Sequence, residues 1–357
     1  MEFKNILITG GAGFVGSGLA LKLRESYPGL TITALDNLKR RGSELNLPRL
    51  REAGVRFQHG DIRAPEDLGL GTPLDLLIDC SAEPSVLAGL KEDPPYLINT
   101  NLIGTINCLE LARRQKAAVV FLSTSRVYPI PEINALRYEE TDTRFQLAPD
   151  QTAPGVSPAG IREDFPLGRV RSLYGATKLA AELLLQEYEA SYGVRAIINR
   201  SGLITGPWQM GKVDQGIAVL WLARHWYGNQ SLSYIGYGGG GKQVRDFMHV
   251  DDLFAALQLQ LEDFSAYQGE VFNISGGAAN SFSLQELTAA CQRITGHQVP
   301  LAREPADRPN DIRWFIGDSA KFRARSGWAP KKNLEATLQD IYRWLDGHAA
   351  LLKPILN

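Results

Sequence analysis

Apolar and polar positions alternate in two styles along this chain. In the first half, short apolar runs are separated by longer segments of mixed character. Phe3 to Thr9, Thr31 to Leu35, Val55 to His59, Leu74 to Asp79, Ala117 to Leu122 and Val194 to Asn199 read as strands. Runs this continuous suit strands buried on both faces. Phe14 to Ser26, about Pro95 to Gln115, and Leu179 to Tyr192 read as helices, the last stopped by Gly193. Strands alternating with helices predict an α/β fold with a doubly wound parallel sheet. Ligands of such sheets bind beyond the carboxyl ends of the strands.

After Asn199 the alternation stops. Gly202 to Pro207 is rich in turn formers, and Asp214 to Trp226 reads as a helix with bulky apolar residues. Leu232 to Ile235 reads as a short strand, followed by the glycine run Gly238 to Gly241. Asp251 and Asp252 open a helix to about Glu262, where acids suit the helix N-terminus. Ser283-Leu-Gln-Glu286 is a capping-box signature, and a last helix runs from about Leu334 to Leu345. This pattern predicts one domain over 1–199, with 246–264 returning to it, and a smaller α/β substrate domain over 200–357. Pro129 to Val170 has no clear periodicity and is rich in proline, glycine and charge. A loop of that length is expected to act as a flap over a site, the alternative being a surface insertion without a role there.

Composition narrows the classes. The chain has 357 residues, 38 basic against 39 acidic, and a formal charge of −1. No basic stripe marks a nucleic-acid surface. Cys80, Cys108 and Cys291 lie far apart, which argues against zinc and against a disulfide framework. Met1 runs directly into a strand and no apolar run is long enough for a bilayer, so the expectation is a soluble cytoplasmic protein.

Candidate chemistry gathers at predicted strand ends. Gly10, Gly13 and Gly16 follow the first strand and open a helix, the context in which glycine spacing carries meaning. Gly10 would permit the tight turn, Gly13 the approach to a pyrophosphate, and Gly16 close packing of helix on strand. Asp36 closes the second strand, where an acid meets ribose hydroxyls and disfavours a 2′-phosphate. Lys39-Arg-Arg41 pulls the other way, or is a solvated loop; Asp36 outweighs it, so NAD is preferred to NADP. Tyr174 and Lys178 form the only Tyr-x-x-x-Lys in a chain with 12 tyrosines. Four apart on a helix, they share a face. A lysine ammonium beside the phenol would lower its pKa and poise it to take an alcohol proton.

Together these residues resemble the extended short-chain dehydrogenase/reductase family, the nucleotide-sugar epimerases and dehydratases. The resemblance runs through Thr9 to Gly16, Asp36, Gly60-Asp61-Ile62, Asn101 to Thr105, Ser123-Thr124-Ser125, Tyr174 to Lys178 and Lys242 to Asp252. Within the family the chain is most similar to the CDP-paratose 2-epimerases, on Ser123 to Tyr128, Thr143-Arg-Phe145, Asp214-Gln-Gly216 and Gly241 to Asp246. The resemblance implies a Rossmann-type sheet and a tightly held NAD that is reduced and reoxidised in one turnover. It implies NAD contacts from Gly10, Gly13, Phe14, Val15, Gly16, Asp36, Asn37, Asp61, Ile62, Ser81, Asn101, Ser123, Tyr174 and Lys178. Tyr174 would be the acid/base, Lys178 its helper, and Thr124 a hydrogen-bond partner of the reacting hydroxyl. Arg245 and Arg308 would hold a diphosphate, with Gln243 and Asp311 as nucleotide contacts. A nucleotide-diphosphate sugar and a homodimer are the implied partners. The rival readings are a 4-epimerase acting on a UDP-sugar, and a non-catalytic NAD-binding scaffold, which would be expected to lose Tyr174 or Lys178.

Three positions depart from the family. Cys80-Ser-Ala-Glu83 replaces the common His-Leu-Ala-Ala, and Tyr128 precedes proline where glycine is usual. Ser125-Arg126 stands where 4,6-dehydratases carry an Asp-Glu pair. Dehydration needs an acid and a base there, and an arginine stays charged near neutral pH.

Overall fold

The computed structural model describes residues 1–90, 94–211, 215–228 and 230–356. The chain divides into two compact units. The first comprises Met1–Val127, Leu173–Arg200 and Leu253–Phe272; the second comprises Tyr128–Ser172, Ser201–Asp252 and Asn273–Asn357. The segment 128–172 thus groups with the second unit, whereas the sequence pattern put it in the first.

A seven-stranded sheet organises the first unit. Its first five strands are β1 (Asn5–Thr9), β2 (Thr31–Asp36), β3 (Arg56–His59), β4 (Leu76–Asp79) and β5 (Ala118–Thr124). The sheet order is Glu270–Ile274, Ala196–Ser201, β5, β4, β1, β2, β3. The ladders among β1 to β5 are parallel. Their apolar runs are buried as expected: Ile6, Leu7 and Ile8 are at most 2% exposed. Each such side chain contributes roughly 1.5–3 kcal/mol. The strand Glu270–Ile274 was not read from the sequence, because its apolar residues are broken by Asn273.

Register brings the chemistry to one rim. Thr9 pairs with Leu35 on one side and Asp79 on the other; Asp36 pairs with His59, and Asp79 with Phe121. β5 runs on through Ser123 and Thr124, so both lie in the strand itself. Helix α1 (Phe14–Ser26) starts at the glycine turn. The helix expected over 95–115 is Pro94–Ile98, a π-helical turn Asn99–Ile103, and Gly104–Gln115. The helix Leu173–Tyr192 starts earlier than its apolar pattern suggests, and so includes both Tyr174 and Lys178.

The second unit has a small mixed sheet. Val244–His249 pairs in parallel with Leu203–Thr205 and Trp314–Phe315, and antiparallel with Ser281–Ser283. Leu232–Ile235 pairs with Leu301–Glu304. Ser283 forms the expected capping box with Glu286. The helix expected from Asp214 is Ile217–Tyr227; Asp214 itself lies outside the described residues.

The reading of 129–170 as a loop is corrected. It holds a helix, Ile130–Asn134, and two small hairpins, Tyr138–Glu140 with Phe145–Leu147 and Val156–Ser157 with Gly160–Ile161. Elements this short carry too few residues for a period to be seen. The segment is tied into its unit by Arg144, which ion-pairs with Glu286 and donates to the Ser281 carbonyl at 3.0 Å. Glu163 accepts from the Asn273 N–H at 2.7 Å, and Ile161 N–H donates to Ile316 O at 2.8 Å.

Asp246, from the Gln-Val-Arg-Asp run, is a buried hub of the second unit. Its carboxylate accepts from the Ser275 hydroxyl and from Gly277 N and Gly317 N, the latter two each at 3.2 Å. Burial pushes this carboxyl up to about 6, against the pull of those donors. The unfolded value is about 3.9. The folded state therefore keeps a proton that the unfolded chain has lost, and stability falls as pH rises between about 4 and about 6. Asp246→Asn is expected to remove that part of the slope in thermal melts across the window. An unchanged slope would refute the assignment.

Candidate active site

The glycine turn has the steric signature of a backbone cradle. Gly10 sits at φ +61°, and a Cβ on it would lie 2.9 Å from Cys80 O. A Cβ on Gly16 would lie 2.2 Å from Gly10 O, so any side chain there would push α1 off β1. Gly13 is the N-cap of α1 and has no side chain to shield that helix N-terminus, the kind of end that holds a phosphate.

Asp36 faces this turn. Its Oδ2 accepts from Ala12 N at 3.1 Å and Gly13 N at 3.2 Å, and its Oδ1 accepts from Leu38 N at 2.8 Å. Burial raises its carboxyl above the usual range, while those three N–H groups pull it down. Asp61 is held by Arg63 through two contacts, at 2.9 and 2.7 Å, and by Asn37 Nδ2 at 2.8 Å. The Arg63 guanidinium keeps its carboxyl well below the usual range. Lys39, from the basic trio, has its Nζ 3.1 Å from the Tyr96 ring centroid.

Three residues expected at the cofactor also make hydrogen bonds within the protein. Asn101 is fully buried and braces the loop after β4: its Oδ1 accepts from Glu83 N at 2.7 Å and its Nδ2 donates to Glu83 O at 3.1 Å. The Ser123 hydroxyl donates to Glu182. Ser81 N donates to Asp79 Oδ1 at 3.1 Å.

Tyr174 is 8% exposed, and Thr124, at the end of β5, is near enough to act on its phenol. Burial raises the phenol above its ordinary value; the Thr124 side chain and the Arg126 charge pull it down, and the Glu83 charge pushes it up. Lys178 is 2% exposed and its Nζ lies 3.8 Å from the Phe121 ring centroid. Burial lowers its ammonium, and the charges of Asp79 and Glu182 oppose that. The sequence expected Lys178 to draw the phenol down. The Arg126 charge acts on the phenol in the same direction.

Behind Lys178 lie two carboxylates the sequence did not single out. Asp79 is 1% exposed and accepts from the hydroxyls of Thr9 at 2.7 Å and Thr105 at 3.1 Å. Glu182, one turn past Lys178, forms a buried ion pair with Arg200 at 2.7 Å. The i, i+4 spacing from Lys178 to Glu182 was a signal available in the sequence.

In the second unit, Arg245 donates to Asp311 Oδ1 at 2.8 Å and to Ile312 O at 2.6 Å. Asp311, expected as a nucleotide contact, is thus the counter-ion of Arg245. Gln243 donates to Ile235 O at 2.7 Å and so holds the glycine-rich loop. Arg308 is half-buried, with no ion pair among the described residues. Arg313, not expected in the site, has its guanidinium 5.3–5.5 Å from the ring centroids of Tyr138, Phe145 and Tyr237.

Comparison with known proteins places this geometry. The NAD dependent epimerase/dehydratase family matches residues 6–275. The chain belongs to that family. A CDP-paratose 2-epimerase of Salmonella typhi is 29% identical over 351 residues, covering 95% of this chain and 98% of the relative. A dTDP-glucose 4,6-dehydratase of Mycolicibacterium smegmatis is 30% identical, covering 98% and 96%. The solved UDP-glucose 4-epimerase of Thermus thermophilus in complex with NAD superposes with a TM-score of 0.77 at 26% identity, covering 96% and 99%. This family member is an NAD-dependent nucleotide-sugar epimerase/dehydratase. Among the described residues no helix is long and apolar enough to cross a membrane, and no group of three His, Cys, Asp or Glu could hold a metal.

The glycine turn and Asp36 fit NAD on their own geometry. A 2′-phosphate would bring negative charge against the half-buried Asp36 carboxylate. NADP is therefore expected to bind roughly 10- to 100-fold more weakly than NAD, and Asp36→Asn to narrow that gap. Calorimetric titration of both nucleotides into both proteins measures this. Equal affinity in the parent would contradict the assignment.

Proposed function

We propose that this enzyme epimerises a nucleotide sugar, inverting C2 of a CDP-linked deoxyhexose such as CDP-paratose to give CDP-tyvelose. The observation that supports the epimerase reading is that Tyr174 and Lys178 lie on one helix while Thr124, at the end of β5, is followed by Ser125-Arg126 rather than by carboxylic acids. Identity does not choose between the relatives, since 29% and 30% are equivalent. The residue after Ser125 supports the epimerase reading. Elimination of water needs a group there that gives or takes a proton, and Arg126 holds its charge.

NAD, when bound, supplies a reversible hydride acceptor. Thr124 would receive the reacting hydroxyl and align it with Tyr174. Tyr174 would take its proton as the carbon is oxidised, leaving a keto sugar. After the sugar turns its other face, Tyr174 would return the proton to the inverted carbinol. Arg245 and Arg308 would hold the diphosphate, Arg245 preset in direction by Asp311. Lys178 would serve as helper to Tyr174. We also propose that the chain forms a homodimer.

A 4-epimerase acting on a UDP-sugar is the second reading, favoured by the solved UDP-glucose 4-epimerases similar to this chain. Incubation with CDP-paratose, CDP-glucose and UDP-glucose in separate tubes, read by proton NMR, separates the two. Inversion at C2 of a CDP-sugar is the expected result. Inversion at C4 of UDP-glucose would replace the substrate and position and keep the chemistry of Tyr174.

A further inference from the structure

We infer that Tyr96, gripped by Lys39 and Arg63, is a clasp over the adenosine end of the NAD site that slows exchange of the cofactor. The inference rests on NAD lying at the glycine turn with its ribose at Asp36. Three separate segments meet at one aromatic ring. The Lys39 ammonium, from the loop after β2, is 3.1 Å from the Tyr96 ring centroid. The Arg63 guanidinium, from the loop after β3, is 5.0 Å from it. Tyr96 itself belongs to the short helix Pro94–Ile98.

The two loops are also joined at their bases. Asn37 Nδ2 donates to Asp61 Oδ2 at 2.8 Å, and Asn37 Oδ1 accepts from Lys39 N at 3.0 Å. Arg63 holds the same Asp61 through Nε at 2.9 Å and Nη2 at 2.7 Å. The contacts therefore run in a closed circuit: Asn37, Asp61, Arg63, Tyr96, Lys39 and back to Asn37. Gly60 N donates to Asp36 O at 3.2 Å, so this circuit hangs on the strand ends that carry the ribose acid. Leu38 sits at φ +55°, a conformation that is unfavourable for a residue with a side chain and persists only where its surroundings enforce it.

The clasp is built to open. Lys39 and Arg63 are exposed, and Tyr96 is half-buried. Cation–π contacts at exposed sites are individually weak. Two on one ring slow passage without sealing the site. The proposed reaction returns NAD to its starting state at each turnover, so slow exchange does not limit it. The same contact gives Lys39, from the basic trio, a role other than holding a 2′-phosphate.

The test follows NAD itself. Protein loaded with radiolabelled NAD is mixed with excess unlabelled NAD, and loss of label is timed by filter binding. Stopped-flow quenching of tryptophan fluorescence times entry. Tyr96→Leu removes the ring and Lys39→Met one cation, so that failure of one to fold leaves the other; Tyr96→Phe keeps the ring. Every contact of the clasp joins protein to protein, so it slows entry as well as release. Tyr96→Leu is expected to speed both by about 5- to 30-fold, the loss of two weak cation–π contacts, with the dissociation constant within about threefold of the parent. Lys39→Met is expected to speed both by about 2- to 5-fold, and Tyr96→Phe to stay within about twofold of the parent. Unchanged release in either folded variant, Tyr96→Leu or Lys39→Met, would overturn the inference. So would faster release with unchanged entry, which would make Tyr96 a direct contact of the cofactor. Failure of the underlying reading shows up separately, as a preference for NAD over NADP that Asp36→Asn leaves intact.

Discussion

Tyr174→Phe is expected to lower turnover by about 100- to 10,000-fold while NAD affinity stays near that of the parent. The ring is retained, so the packing of the helix Leu173–Tyr192 against β5 is undisturbed. What is lost is one hydroxyl, near Thr124, in a site where the residue is 8% exposed. Its contribution to stability is only about 1 kcal/mol. Its contribution to rate is the whole proton transfer, for which Lys178, over Phe121, and the charged Arg126 offer no replacement. Steady-state turnover, paired with calorimetric NAD binding and a thermal melt, separates the two. Full activity in a folded variant would remove Tyr174 from the chemistry and with it the proposed mechanism.

Glu182→Ala is expected to be the most damaging change to the fold of the first unit. Arg200 and Glu182 are 5% and 2% exposed at the side chain, and the guanidinium meets the carboxylate through Nε and Nη2 at 2.7–3.1 Å. Removing the acid leaves a buried arginine without its counter-charge, which costs about 3–5 kcal/mol. The Ser123 hydroxyl loses its acceptor as well. Urea unfolding should show this as a lowered midpoint at an unchanged slope. A loss under about 1 kcal/mol would mean that water or another acid takes the place of Glu182.

These two residues show where sequence reading succeeded and where it stopped. Tyr174 was legible because its meaning lies in a short spacing on one helix, set among strand ends that alternation alone could place. The glycine turn was legible for the same reason, and φ at Gly10 and the contact at Gly16 give it a steric cause. Glu182 and Asp79 were not, because a buried carboxylate is defined by partners far along the chain, such as Arg200 and Thr105. Asn101 and Ser123 were placed at the cofactor by position, yet their side chains serve Glu83 and Glu182. The pairing of Asp311 with Arg245 was not legible either, since nothing in the sequence joins the two. The hairpins of 129–170 are two or three residues a strand, below the length at which a period can be read.

The order in which the chain is made has a consequence for how the first unit matures. Its last piece is Leu253–Phe272, and the strand Glu270–Ile274 closes one edge of the seven-stranded sheet. A ribosome delivering residues from Met1 onward will have released all of β1 to β5 long before that edge exists. Until then the fully apolar run of Ala196, Ile197 and Ile198 has no neighbour on one side, and its backbone is an open template for another chain. Pairings this distant in sequence form late and slowly. A nascent chain halted at Asp252 would therefore expose an unpaired, aggregation-prone strand, and the demand on chaperones during synthesis should peak just before Glu270 emerges.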